Sequence, residues 1–93
     1  MTILIKELSD ETFQITVSKK NPTSHNVTLT DDTHQKLTNG KVSKKELIEF
    51  SFKFLLEREP NTSILSSFEL SVISEYFPEY IKIIKEWSTE NGH

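Results

Sequence analysis

Cysteine is absent from this 93-residue chain, glycine occurs twice and proline three times. Without cysteine there is no disulfide framework, no thiolate nucleophile and none of the common structural zinc sites. Packing must hold the core, and the cytoplasm is the expected location. With so little glycine there is no phosphate-cradling loop: no Walker pattern, GxGxxG or GxSxG is present, nor is HExxH. A basic excess is also missing. The net charge of −3 and a pI near 5.6 oppose strong non-specific attraction to nucleic acid. No window approaches a membrane span, and MTILIKELSD carries its lysine after a very short apolar run, the reverse of a secretory signal. The expectation is therefore a soluble protein without a membrane partner, in which the sequons Asn26-Val27-Thr28 and Asn61-Thr62-Ser63 are chance.

Catalytic chemistry is equally sparse. The histidines are His25, His34 and His93, and one compact grouping has the look of a ligand set: Asp31, Asp32 and His34. Acids at a helix start ordinarily serve the cap and the dipole, so the sequence predicts no enzyme, no metal and no cofactor.

What is present is concentrated. Three phenylalanines fall within Phe50 to Phe54, and five more aromatics, Phe68, Tyr76, Phe77, Tyr80 and Trp87, follow. That suffices for one core, and residues 1–93 are expected to form a single domain. Charge is bipolar: residues 1–45 sum to +2 and residues 46–93 to −5.

The apolar period changes along the chain from two to near four. TFQITVS, residues 12–18, sets Phe13, Ile15 and Val17 against Thr12, Gln14, Thr16 and Ser18, the alternation of a half-buried strand. After Asn21-Pro22 the alternation resumes over 25–30 with Val27 and Leu29, predicting an antiparallel hairpin, and Ile3 to Ile5 make a third candidate strand. Asp31-Asp32 is placed to cap a short helix that ends at Asn39-Gly40. Ser43 and Glu46 have capping-box spacing ahead of a longer helix that Pro60 stops near Glu59. That helix is apolar around most of its circumference, leaving a polar stripe of Glu46, Glu49, Lys53 and Glu57. Asn61 or Thr62 is placed to cap a turn through Leu65. Leu70, Ile73 and Phe77 then predict a helix over 68–77, and a last helix follows Pro78 to a stop at Asn91-Gly92. The expected fold is α+β: a small N-terminal antiparallel sheet of two or three strands over about 3–30, packed against three or four helices over about 31–90.

Residues 26–59 resemble the ribbon-helix-helix family of DNA-binding dimers in their order of alternating strand, short helix, Gly-containing turn and longer apolar helix. The resemblance implies that Asn26, Thr28 and Thr30 face the major groove. It also implies that Lys41, Ser43, Lys44 and Lys45 gather phosphate at a helix N-terminus. Against it, the strand carries no Arg or Lys, and the strand before it is poised to pair with the edge a partner chain needs. The block FLLEREPNTSILSSFELSVISEYFPEY, residues 54–80, resembles a family of small bacterial proteins of unassigned function; this implies a stand-alone bacterial domain and transfers no activity. The aromatic set at Phe68, Tyr76, Phe77, Tyr80 and Trp87 is read either as core or as a groove for a partner peptide or helix. The expectation is a noncatalytic protein-interaction module, monomeric or homodimeric, with a dimeric ribbon-helix-helix regulator of nucleic acid as the alternative.

Overall fold

The hairpin, the helices and an unforeseen fourth strand build a sheet with helices on one face. A computed structural model describes residues 2–19 and 21–91. In chain order the elements are β1 (Thr2–Glu7), β2 (Thr12–Ser18), β3 (Thr23–Thr28), α1 (Asp31–Thr38) and α2 (Lys44–Leu56). After a 3-10 turn (Asn61–Ser63) come β4 (Ser67–Glu69), a second 3-10 turn (Leu70–Val72), α3 (Ile73–Tyr76) and α4 (Tyr80–Asn91). The class is α+β, with a four-stranded sheet in the order β1-β2-β3-β4. β1 and β3 pair antiparallel with β2, while β4 joins β3 in parallel, so the sheet is mixed and not purely antiparallel.

The alternation of β2 does what a period of two requires. Phe13, Ile15 and Val17 are buried, as are His25 and Val27 on β3 and Leu29 just beyond it. Register lines these up in cross-strand rows, Ile5 with Ile15 and His25, and Phe13 with Val27 and Phe68. Phe52 of α2 meets this face, its ring centroid 5.5 Å from that of His25 and 6.1 Å from that of Phe68. On the opposite face Gln14, Asn26 and Ser67 form one polar row and Thr12, Thr28 and Glu69 another.

Several boundaries differ from the sequence expectation for identifiable reasons. β3 begins two residues earlier than expected and ends at Thr28, because Thr30 leaves the sheet to cap α1, its hydroxyl accepting from the Thr33 amide at 3.2 Å. Asp31 and Asp32 therefore sit in the first turn instead of at the cap. Asn39 and Gly40 both take left-handed φ, +55° and +70°, ending α1 where the pattern placed its stop. At α2 the capping box is complete: Ser43 Oγ accepts from the Glu46 amide at 3.1 Å and the Glu46 carboxylate accepts from the Ser43 amide at 3.1 Å. The Ser43 amide, and to a lesser degree the Ser43 hydroxyl, holds the Glu46 carboxyl below its ordinary range by hydrogen bonding to it. α2 ends at Leu56, earlier than Glu59, and the amides of Arg58 and Glu59 turn back to the Leu55 carbonyl.

The largest departure is at 68–77, where the expected single helix is replaced by β4, a 3-10 turn and the four residues of α3. Leu70 and Ile73 are still buried at the expected spacing. Ser67, Phe68, Glu69 and Leu70 also alternate, a competing period of two that satisfies the open edge of β3. Gly92 of the expected C-terminal stop, together with His93, lies outside the described residues.

α4 runs against α2. Phe50 stacks on Trp87 with centroids 4.3 Å apart, and the fully buried Tyr80 places its hydroxyl 2.6 Å from Ser51 Oγ. Ser51 donates to the Leu47 carbonyl at 2.7 Å, so its hydrogen is committed and Tyr80 is the donor between the two hydroxyls. Ser51→Ala strands that buried donor and is expected to cost about 1 to 3 kcal/mol, whereas Tyr80→Phe removes donor and demand together and costs about 0.5 to 1.5 kcal/mol. Urea melts of both variants check the order. Burial also pushes the Tyr80 phenol above its ordinary value. A phenol whose folded pKa is raised contributes stability that is intact below the unfolded pKa of about 10 and is lost as pH rises beyond it. Alkaline melts should show that loss in the wild type and a shallower one in Tyr80→Phe. On the same helix, Phe54→Ala should destabilise by about 3 to 5 kcal/mol. The exposed Lys53, bridged to Glu49 at 3.2 Å, should change by less than about 0.5 kcal/mol on substitution by Ala, and thermal melts distinguish the two.

Candidate functional site

Proline at position 60 cannot donate an amide, and the chain leaves α2 there in extended geometry before turning through Asn61–Ser63. Pro60, not Asn61 or Thr62, occupies the cap position of this turn, and Asn61 has a different task. Its side chain is buried and donates to the Asn21 carbonyl at 2.8 Å and to Thr23 Oγ1 at 2.9 Å. Thr23 Oγ1 lies 2.8 Å from His25 Nε2, and His25 Nδ1 lies 2.7 Å from the Leu65 carbonyl. A carbonyl only accepts, so Nδ1 carries the proton, and Nε2 of the neutral ring accepts from Thr23. This chain of hydrogen bonds clips residues 61–65 to β3. One residue further on, the Asn26 amide donates to the Ser66 carbonyl at 2.8 Å, and the β3-β4 ladder begins.

The clipped segment walls a hollow of about 370 Å³. Leu55 and Glu59 stand on the α2 side, Ser63, Ile64 and Leu65 on the turn, and Phe68 on β4. Val72, Ile73, Tyr76 and Phe77 close the far side, so every lining residue lies between 54 and 80. Two large hydrophobic lining residues stand well out of the protein: Tyr76 is 66% exposed and Leu65 47%. The floor is rigid. Phe54 meets Phe77 edge to face at 5.8 Å and Tyr80 at 5.3 Å, and the Arg58 guanidinium lies 3.6 Å over the Phe54 ring. A second hollow of about 270 Å³, lined by Glu46, Glu49, Phe50, Lys53 and Trp87, is more polar. The aromatic set thus divides: Phe68, Tyr76 and Phe77 line the first hollow, Trp87 the second, and Tyr80 is core.

The residues tied to nucleic acid by the ribbon-helix-helix resemblance are spread over different tasks. Asn26 and Thr28 are exposed on the solvent face of β3, but Thr30 caps α1. Lys41 and Lys45 are exposed. Ser43 and the Glu46 amide satisfy each other in the capping box. Lys44 is held 2.6 Å from Asp31 and donates to the Asp10 carbonyl at 2.8 Å, its side chain 16% exposed. That contact, by hydrogen bond and then by charge, holds the Asp31 carboxyl below its ordinary range. β3 has partners on both edges, so pairing it with a second copy requires opening an existing ladder. Within the grouping of Asp31, Asp32 and His34, Asp31 faces Lys44, and His34 Nε2 lies 2.6 Å from the Val42 carbonyl.

Sequence reasoning did not foresee Asn61, Thr23 and His25 as the support of the hollow. One signal for His25 was available, since it shares the inward parity of Val27 and Leu29, which puts a polar ring in the core and demands partners. Thr23→Val keeps the shape but removes the hydroxyl, leaving His25 Nε2 without a donor. The expected cost is about 1 to 3 kcal/mol. Hydrogen exchange should accelerate at residues 61–69 more than in α2, and a uniform acceleration would show that the clip is not local. No family model, curated protein or solved structure matches this chain.

Proposed function

We propose that the protein is a noncatalytic interaction module whose hollow between α2, the 61–65 turn, β4 and α3 docks a segment of a partner protein. The single observation that supports this most is the pairing of a preformed apolar floor with Leu65 and Tyr76, which hold large apolar surface in water beside it. Leu4, Leu8 and Ile81 are exposed as well, but Leu65 and Tyr76 are the exposed large hydrophobic residues that line the hollow. Anchors of this kind, an aromatic and an aliphatic side chain at the rim of a pocket, are where interfaces concentrate their energy. Small-ligand sites differ in having polar groups aimed inward to fix orientation. Among the described residues every buried side-chain nitrogen and oxygen already has a partner. The polar groups of the lining, Glu59, Ser63 and the Tyr76 hydroxyl, suit contact with a peptide better than chemistry on a bound substrate.

The test begins with a random peptide library displayed on phage and panned on the whole protein. Peptides recovered should shift the amide resonances of residues 54–80 in titration and should lose binding to a Leu65→Ala, Tyr76→Ala double variant that retains its circular dichroism. Shifts confined to another face, or binding untouched by the double variant, would remove the groove from this role.

A further inference from the structure

We propose that the occupant of the hollow is a basic amphipathic segment, with apolar anchors that enter the floor and Lys or Arg residues beside them that meet the rim. This rests on the docking role proposed above and adds the chemistry of the partner.

Charge complementarity carries it. Between Phe54 and Tyr80 the chain has five glutamates, at 57, 59, 69, 75 and 79, and one base, Arg58. The base is already consumed by the protein's own structure. Its guanidinium donates to the Phe54 carbonyl at 3.0 Å, covers the Phe54 ring, and stands 3.7 Å from both Glu57 and Glu79. Glu69 accepts the hydroxyls of Ser71 at 2.7 Å and Thr33 at 3.4 Å. Two carboxylates remain. Glu59 lines the hollow, whereas Glu75 is exposed on α3 next to Tyr76 in sequence and lies outside the lining, so it adds to the local negative field without facing the floor. Neither makes a side-chain hydrogen bond or ion pair among the described residues. An apolar floor with unsatisfied negative charge at its edge repels acidic segments and steers cationic ones toward it. Arg and Lys suit that edge, because their aliphatic stems lie on apolar surface while their charged ends reach the carboxylates.

The same panning reads the partner's chemistry. Recovered peptides should combine Leu, Ile, Met or aromatic residues with Lys or Arg, and their affinity should fall as salt is raised. Glu59→Lys with Glu75→Lys should weaken them on the order of tenfold. Glu59→Gln with Glu75→Gln, which spares the fold more, should weaken them less but in the same direction. Neutral or acidic peptides that map to the groove, or basic ones indifferent to both pairs of substitutions, would overturn the charge assignment while leaving the docking role intact. Recovery of nothing, or binding that maps elsewhere, would overturn both. A concentration-dependent dimer protecting Leu65 and Tyr76 would assign the groove to a second copy and also overturn the proposal.

Discussion

The fold depends on one polar contact set inside apolar surroundings. His25 is buried against Phe52 and bridges the Thr23 hydroxyl to the Leu65 carbonyl, while Asn61 donates to the same hydroxyl. A buried imidazole without partners is costly, and here both ring nitrogens are satisfied by residues far apart in sequence. The contact decides where the chain goes after α2. It brings residues 61–65 to the edge of β3, the following residues pair as β4, and the hollow forms between that strand and the short α3. The clip acts together with apolar anchors from the same segment, since Ile64, Leu70 and Ile73 are buried and Phe68 meets Phe52.

Much of the architecture was legible because local chemistry and tertiary environment agree. The alternation of Phe13, Ile15 and Val17, the capping pair Ser43 and Glu46, and the Asn39-Gly40 stop each name one conformation, and each is found. Residues 67–77 obey two periods at once. Leu70 and Ile73 suit a helix, and Phe68 and Leu70 suit a strand; the choice was made by the unpaired edge of β3, a partner forty residues away that no local window contains. The candidate site was legible only in part. The aromatic residues stood out in the sequence, but the division among floor, core and a second hollow depends on how α4 crosses α2.

The position of β3 bears on the nucleic-acid resemblance. Its polar residues face solvent as that resemblance implies, yet the strand lies in the interior of the sheet, paired on both sides. The nearby lysines are also less available than their number suggests, since Lys44 is spent on Asp31 and on the Asp10 carbonyl, joining the helical half of the chain to the β1-β2 turn.

The clip also orders events in time. The β2-β3 hairpin closes across a short turn, whereas His25 and Leu65 are separated by 40 residues, as are Asn21 and Asn61. Loop closure on that scale is entropically dearer and is repaid only once β3 and α2 already present both sides of the contact. The walls of the hollow are therefore expected to close after the β2-β3 hairpin. Under the docking role proposed above, an occupant of the hollow would bind only the closed walls and so would stabilise the contact that closes them.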